Sequence, residues 1–183
     1  MSDQDGTYPV TTDHAVYFGM IISMFAKLEH QMCIAAAGIL GSDLGTAYIL
    51  MGAMHYRQKR QTLNHLNTTL GIGGTISASL QDVLDRIDKH SALRNWIAHA
   101  VWTKGRRADS IKPMQILLRG GTLRVMGYDH NEQDYTVERS RNAASELDAI
   151  DRDFRKLLET SGLEARVKAE IEEAKSRNGP PAA

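Results

Sequence analysis

Apolar residues recur along most of this chain at the three- and four-residue spacing of an amphipathic helix. The first such stretch covers residues 14–39, where Thr12 or Asp13 is placed to cap a helix and Gly41 follows its end. Its expected core stripe consists of Val16, Tyr17, Met20, Ile21, Met24, Phe25, Leu28 and Met32. We therefore predict a long first helix that buries this stripe.

Two further helical patterns follow, and glycines separate them. The second predicted helix covers residues 42–70, and Gly52 marks a point where it either kinks or divides, at a cost of roughly 1 kcal/mol relative to alanine. The third covers residues 75–100, with charged residues opposite its apolar stripe. No P-loop lysine follows the glycine-rich loop between these helices, so we do not interpret it as a phosphate-binding loop.

After the third helix the pattern becomes that of strands. Short runs at residues 114–118 and 122–126 flank Gly120 and Gly121, which predicts a hairpin with a two-residue turn. Thr136 is then placed to cap a fourth helix that ends near residue 160.

Together these elements predict an all-α fold, a four-helix bundle with a β-hairpin at about residues 113–127 inserted between the third and fourth helices. The helical domain covers residues 13–162, and residues 127–134 are expected to form a loop. Residues 1–12 are polar and are expected to form a flexible arm. The charged residues 163–183 are expected to form a frayed helix and a disordered tail.

Charge and composition narrow the class of protein. The chain has 22 basic and 22 acidic residues, so its zero net charge argues against coating nucleic acid through bulk charge but leaves a local basic site open. Cys33 is the single cysteine, so no disulfide can form within the chain, and a reducing compartment is expected. Lys27 and Glu29 interrupt the most apolar stretch, which argues against a membrane span. We expect a soluble cytoplasmic protein without a signal peptide.

Three polar residues near the end of the third predicted helix supply the strongest candidate chemistry. Arg94 carries a permanent charge and a fork of donors that suits phosphate oxygens. His99 can transfer a proton near neutral pH, and Asn95, four residues earlier on the same helical face, can orient it through a hydrogen bond. These groups are the parts that metal-free cleavage of a phosphodiester needs. Because no side chains have a metal-ligand spacing, we predict no metal or cofactor.

The positions of Arg94 and His99 on one helix predict a two-fold dimer. The two residues are five positions apart, which places them about 140° apart around an ideal helix and about 7.5 Å apart along it. They converge within one chain only at the full reach of the arginine. Two copies of the helix that cross near this point would gather two arginines and two histidines in one cleft.

Other interpretations of these residues are open. Arg94 can form an ion pair at an interface, and Asn95 and His99 can satisfy backbone groups at the helix end, where the helix dipole favours a histidine. The three residues can also bind a ligand without cleaving it. Trp96 and Trp102 either stack on bases or pack in a core or interface.

Basic residues at two places are candidates for RNA contacts. Lys104, Arg106 and Arg107 follow the third helix and either steer RNA toward the cleft or form a solvated loop. Arg57 and Arg60, in the second helix, either line an anion-binding cleft or form a solvated helical face.

The segment from Arg94 to His99 resembles the motif of the HEPN superfamily (higher eukaryotes and prokaryotes nucleotide-binding domains). An asparagine directly follows the arginine, four residues separate the arginine from the histidine, and the segment ends a helix of a small bundle. The resemblance covers residues 14–160 by architecture and is specific in these six residues. It implies a homodimer that cleaves RNA without a metal, by attack of a 2′-hydroxyl on its own phosphate, leaving a 2′,3′-cyclic phosphate.

Carried over to this chain, the resemblance implies a role for each residue of the motif. Arg94 would hold and polarise the phosphate, His99 would transfer protons, and Asn95 would orient them. Many members of the superfamily act as toxins, which here implies a possible antitoxin partner, or in defence against phage. Other members have lost activity and serve as non-catalytic dimerisation, nucleotide-binding or RNA-binding modules.

Overall fold

A computed structural model describes residues 9–70, 72–119, 122–126 and 134–178. Within these ranges the chain is mostly helical, as predicted, and carries a small antiparallel sheet. The helices are α1 (Thr12–Leu40), α2 (Leu44–Met51), α3 (Tyr56–Leu70), α4 (Gly74–His99), α5 (Val137–Thr160) and α6 (Leu163–Asn178). The strands are β1 (Val101–Lys104), β2 (Ser110–Arg119), β3 (Thr122–Met126) and β4 (Tyr135–Thr136).

The described residues form six helices, whereas we predicted four. The second predicted helix divides after Gly52, and α3 begins at Tyr56. The expected frayed helix is α6, whose Leu163 and Val167 are buried. A Cβ atom on Gly38 would lie 2.6 Å from the carbonyl oxygen of Leu163, so a glycine is needed where α6 approaches α1.

Two antiparallel hairpins share the long strand β2, so the fold is not purely all-α. The predicted hairpin is confirmed as β2 and β3, with Arg119 opposite Thr122, while Gly120, Gly121 and residues 127–133 lie outside the described residues. The structure adds β1, which pairs with the first half of β2, and the short β4, which also pairs with β2. We predicted neither β1 nor β4, because each is too short to show an alternating pattern.

The chain divides into two compact units, each assembled from separate segments. Unit one comprises the residues up to Phe25 together with Lys89–Asp148, and unit two comprises Ala26–Asp88 together with the residues from Ala149 onward. The division cuts across the single helical domain predicted over residues 13–162, because α1, α4 and α5 each contribute to both units.

Each unit has its own set of buried apolar side chains. In unit one these include Phe18, Ile21, Phe25, Leu93, Trp102, Ile111, Tyr135, Ala144 and Leu147. In unit two they include Leu28, Met32, Cys33, Met51, Leu63, Leu80, Leu84, Ile87, Phe154 and Leu163. Cys33 is buried in this core, and its burial raises the pKa of the thiol.

The N-terminal half of α1 buries only part of the stripe that we predicted for it, namely Ile21 and Phe25. Val16 is 53% exposed and Met20 is 42% exposed, whereas Phe18 is buried against Trp102 of β1, with 4.7 Å between the ring centroids. The helix is apolar on more than one side here, so periodicity alone does not select the buried side. The contact between Phe18 and Trp102 of β1 determines which side of the helix is buried.

None of the described helices alone is sufficiently long and apolar to cross a membrane. The consecutive helices α1 and α2 reach that length and composition together, with a bend of 117° at the break between them.

Candidate functional site at the end of helix α4

Helix α4 ends where the sequence changes from helix-forming to strand-forming residues. The N–H group of Ala100 donates the last hydrogen bond of this turn, to the carbonyl of Trp96 at 2.8 Å. The β-branched and aromatic residues of β1 follow, and they favour an extended backbone. His99 is therefore the last residue of α4, and its side chain is exposed.

Asn95 contacts the arginine of the motif and not the histidine. Nη1 of Arg94 donates a hydrogen bond to Oδ1 of Asn95 at 3.1 Å. Arg94 is half-buried, whereas Asn95 and His99 are exposed. The expected hydrogen bond between Asn95 and His99 is not formed, so within the described residues the amide positions the guanidinium and leaves the imidazole unrestrained.

The structure does not bring Arg94 and His99 together within one chain. Both residues lie in the regular part of α4, which continues to His99, so the angular separation expected for an ideal helix applies. The two groups therefore point to different sides of the helix. In one copy of the chain, the guanidinium of Arg94 and the imidazole of His99 thus do not face one common point.

Aromatic side chains pack beneath the motif in unit one. Tyr135 of β4 lies edge-on to Trp96 and to Trp102, with centroid distances of 6.0 and 5.8 Å. His14 of α1, which is buried, approaches the carbonyl of Tyr135 through Nε2 at 3.2 Å. Trp102 is 5% exposed and is a core residue, so base stacking by it is ruled out in this conformation, whereas Trp96 is half-buried.

The basic residues that follow α4 lie on the β1–β2 turn, residues 104–109, which begins with Lys104, the last residue of β1. Lys104, Arg106 and Arg107 are all exposed. The backbone beneath them is fixed, because the N–H of Arg106 donates to Oδ2 of Asp134 at 2.9 Å and the N–H of Arg107 donates to Oγ of Ser110 at 3.1 Å. The turn thus presents three cations in the same unit as the motif.

The other two candidate RNA contacts, Arg57 and Arg60, belong to unit two. Arg60 pairs with Asp85 at 2.5 Å and with Asp88 at 3.4 Å, whereas Arg57 is exposed. Their neighbour Lys59 is buried and pairs with Glu29 at 2.5 Å. The charges of Arg60 and Lys59 are thus largely balanced by carboxylates of the same unit.

A pocket that the sequence did not predict lies one turn before the motif in unit one. It has a volume of about 250 Å³ and is lined by Lys89, His90, Leu93, Tyr135, Arg139, Asn142, Ala143 and Glu146. Nε2 of His90 lies 3.0 Å from Oε2 of Glu146. The sequence did not show that His90 and Glu146 are neighbours. Glu146 lies on α5, and all four described strands separate α5 from α4 along the chain. The sequence offered one indication of this site: His90 lies four residues before Arg94 and therefore on the same face of the helix.

Burial governs the protonation of His90. It lowers the pKa of the imidazole, and the nearby charge of Lys89 acts in the same direction, while the Glu146 carboxylate opposes both. The side chain of His90 is 13% exposed, whereas that of Glu146 is largely exposed. His90 is therefore neutral near pH 7.

Among the described residues, no three histidine, cysteine or carboxylate side chains lie close enough together to hold a metal ion. No protein-family model, curated protein or solved structure matches this chain. Its function must therefore be inferred from its own residues.

Proposed function

We propose that this protein is a metal-independent endoribonuclease of the HEPN type, which acts as a homodimer with Arg94 and His99 at the subunit interface. The observation that carries the proposal is the end of α4, where Asn95 fixes the guanidinium of Arg94 just ahead of an exposed His99. A guanidinium restrained in this way loses less freedom when it binds a phosphate.

The proposed reaction divides the work between the two charged groups. Arg94 binds the non-bridging oxygens of the scissile phosphate and stabilises the charge that develops on them. His99 accepts the proton of the 2′-hydroxyl as the bond between the 2′-oxygen and phosphorus forms and the bond to the 5′-oxygen breaks. The 5′-oxygen takes a proton from water, and His99 returns its proton to the resulting hydroxide. The products are a 2′,3′-cyclic phosphate and a 5′-hydroxyl.

A second copy is required because one chain does not make the two groups converge. The N-terminal half of α1 offers a surface for that copy, since Val16 and Met20 are exposed there and Gly19 has open space around its Cβ position. Val16 and Met20 lie on the side of α1 opposite to Phe18, which packs on Trp102 of β1 in the same unit as the motif. An exposed apolar surface on this unit fits a self-complementary interface.

The exposed cations of the β1–β2 turn, Lys104, Arg106 and Arg107, support RNA as the substrate. They add positive charge on the same unit as the motif, although the whole chain is neutral. Such a local patch attracts the phosphate backbone in a salt-dependent manner. A toxin or phage-defence role, an antitoxin partner and a cytoplasmic location rest on the resemblance and the sequence alone.

One observation favours a second function, a non-catalytic HEPN-like module that dimerises or binds a nucleotide or RNA. Asn95 is bound to Arg94, so within the described residues no side chain selects a tautomer of His99. A proton-transfer histidine normally has a partner that orients it. In the binding module, Arg94 would hold a phosphate that is never cleaved.

Cleavage of labelled RNA by the purified protein in the presence of EDTA separates the two functions. A nuclease gives fragments with 2′,3′-cyclic phosphate ends, and activity falls by at least about a hundredfold in Arg94→Ala and His99→Ala. The matched controls are Arg166→Ala and His65→Ala, which replace exposed residues of unit two. Equal cleavage by the motif variants and the wild type would overturn the proposal, and binding without cleavage by any protein would favour the module.

A further inference from the structure

The pocket beside α4 combines a hydrogen-bond acceptor with two cations. Its floor is formed by the buried residues Leu93, Tyr135 and Ala143 together with the half-buried His90. Its rim is formed by exposed residues, namely Lys89, Arg139, Asn142 and Glu146. With a neutral imidazole, the rim carries two positive charges and one negative charge. The pocket therefore favours an anionic ligand that also has polar groups.

The contact with Glu146 fixes the tautomer of His90. An ionised carboxylate can only accept hydrogen bonds, so the proton of a neutral imidazole must lie on Nε2, which faces Oε2 of Glu146 at 3.0 Å. Nδ1 is then an acceptor. Such an atom receives a hydrogen bond from a hydroxyl group and disfavours a bare anion.

The cations of the rim are suited to a phosphate. The guanidinium of Arg139 lies 4.2 Å over the centre of the Tyr135 ring, and its Nη1 donates to the carbonyl of Asp134 at 3.0 Å. Arg139 makes a further contact besides these two. A guanidinium has five donors in a planar fork, so a phosphate would share the fork with these contacts. Lys89 forms no ion pair with any described residue, and its flexible ammonium can follow a phosphate in the pocket.

We propose that this pocket binds the sugar–phosphate unit of a ribonucleotide, with the phosphate on Lys89 and Arg139 and the ribose 2′-hydroxyl donating to Nδ1 of His90. The volume of about 250 Å³ is below the roughly 300–1,000 Å³ of pockets that enclose whole drug-sized ligands, so the base lies outside. The exposed amide of Asn142 is placed at the rim to meet it.

In the context of the proposed nuclease, this pocket is a subsite for a nucleotide that flanks the cleaved one, and that part of the inference rests on the proposed function. His90 and Arg94 are four residues apart on α4, so they lie about 6 Å apart along the helix and about 40° apart around it. A single RNA strand that follows α4 can therefore contact both. His90 acts here as a binding residue, and the reacting phosphate stays at Arg94.

Titration calorimetry with a ribonucleoside 3′-monophosphate, its 2′-deoxy analogue and inorganic phosphate tests the pocket directly. The ribonucleotide should bind about five- to tenfold more tightly than the deoxy analogue, because the analogue lacks one hydroxyl donor. Arg139→Gln and Lys89→Gln should each weaken all three ligands by at least about tenfold. The matched control is Arg141→Gln, an exposed arginine of the same helix that does not line the pocket.

The His90→Phe variant isolates the hydroxyl contact, because phenylalanine preserves the ring shape and removes the acceptor. It should retain phosphate binding and lose the preference for the ribonucleotide. Equal affinity of the wild-type protein for the ribose and deoxyribose ligands would overturn the hydroxyl contact, and unchanged affinity in both cation variants would overturn the site. If Arg139→Gln does not fold, Lys89→Gln still tests whether the cations of the rim bind the phosphate.

These ligands are not cleaved, so the result is independent of nuclease activity. If the protein binds the ribonucleotide with the stated dependence on Arg139 and His90 but never cleaves RNA, the proposed pocket is supported and the proposed nuclease activity is refuted. If RNA cleavage depends on Arg94 and His99 but no ribonucleotide binds at His90, the proposed pocket is refuted and the proposed nuclease activity is supported.

Discussion

Nη1 of Arg94 donates a hydrogen bond to Oδ1 of Asn95 at 3.1 Å, although the two residues are adjacent on α4 and His99 was the expected partner of the amide. The hydrogen bond holds the guanidinium of Arg94, which we propose to be the phosphate-binding group. The imidazole of His99, the proposed proton-transfer group, stays at the exposed end of the helix.

Asn95→Ala should impair substrate binding more than proton transfer. Loss of the amide removes one restraint on the Arg94 guanidinium, so we expect KM to rise by about three- to tenfold, and the pH dependence of kcat to stay unchanged. Steady-state cleavage at several pH values measures both. Gln61→Ala, an exposed amide on α3, is the control. A displaced pH profile with unchanged KM would show instead that Asn95 acts on His99.

A charge on the exposed face of α1 should separate the proposed dimer. Met20→Glu places a carboxylate in the apolar surface that also contains Val16, and burying it without a partner costs several kcal/mol. Sedimentation velocity should show a dimer for the wild type and a monomer for the variant, and RNA cleavage should be lost with the dimer. Ile49→Glu is the control, because Ile49 is 84% exposed but lies on α2 in unit two. If Ile49→Glu and not Met20→Glu yields the monomer, the interface lies on unit two.

Mixing two inactive variants should restore activity if the cleft is shared. Arg94→Ala lacks the proposed phosphate-binding group and His99→Ala lacks the proposed proton-transfer group. A heterodimer of the two keeps one arginine and one histidine in the common cleft. Co-refolded variants should therefore cleave RNA faster than either parent alone. A mixture as inactive as its components, despite heterodimers detected by mass spectrometry, would contradict a composite site.

The stability of the protein should depend on pH through His90. Burial lowers the pKa of this histidine in the folded state, so below about pH 6.5 the unfolded chain binds more protons at this position than the folded chain. The free energy of unfolding therefore falls as the pH is lowered from 7 to 5.5. His90→Phe should show a smaller fall, as measured from urea midpoints at the two pH values. His65→Phe, an exposed histidine of α3, should behave as the wild type does. If the free energy of unfolding falls equally in His90→Phe and in the wild type, another group causes the pH dependence.

The basic turn should tolerate no side chain at Gly105. A Cβ atom there would lie 2.1 Å from Oγ of Ser110 and 2.9 Å from its carbonyl carbon. Gly105→Ala should therefore lower the free energy of unfolding by about 1–3 kcal/mol, as measured by urea denaturation. Gly74→Ala is the control, because nothing lies within 4 Å of its Cβ position. An equal effect of the two substitutions would mean that the turn can rearrange.

Much of the secondary structure was predictable because it depends on local spacing. Thr136 was expected to cap the helix now seen as α5, and its Oγ1 accepts a hydrogen bond from the N–H of Arg139 at 3.1 Å. The hairpin of β2 and β3 was likewise readable from two short apolar runs around a glycine pair. The place of Arg94 and His99 in the last turns of a long helix was also predicted.

The sequence by itself thus determined the helices, one hairpin and the position of the motif, because periodicity and capping involve neighbours along the chain. Tertiary structure decided which side of α1 is buried, since Phe18 meets Trp102 only after β1 has formed. It also decided the pairing of His90 with Glu146, which requires α5 to return beside α4. Contacts of this kind join residues far apart in the sequence, so no local pattern of Arg94 to His99 could have revealed the pocket beside them.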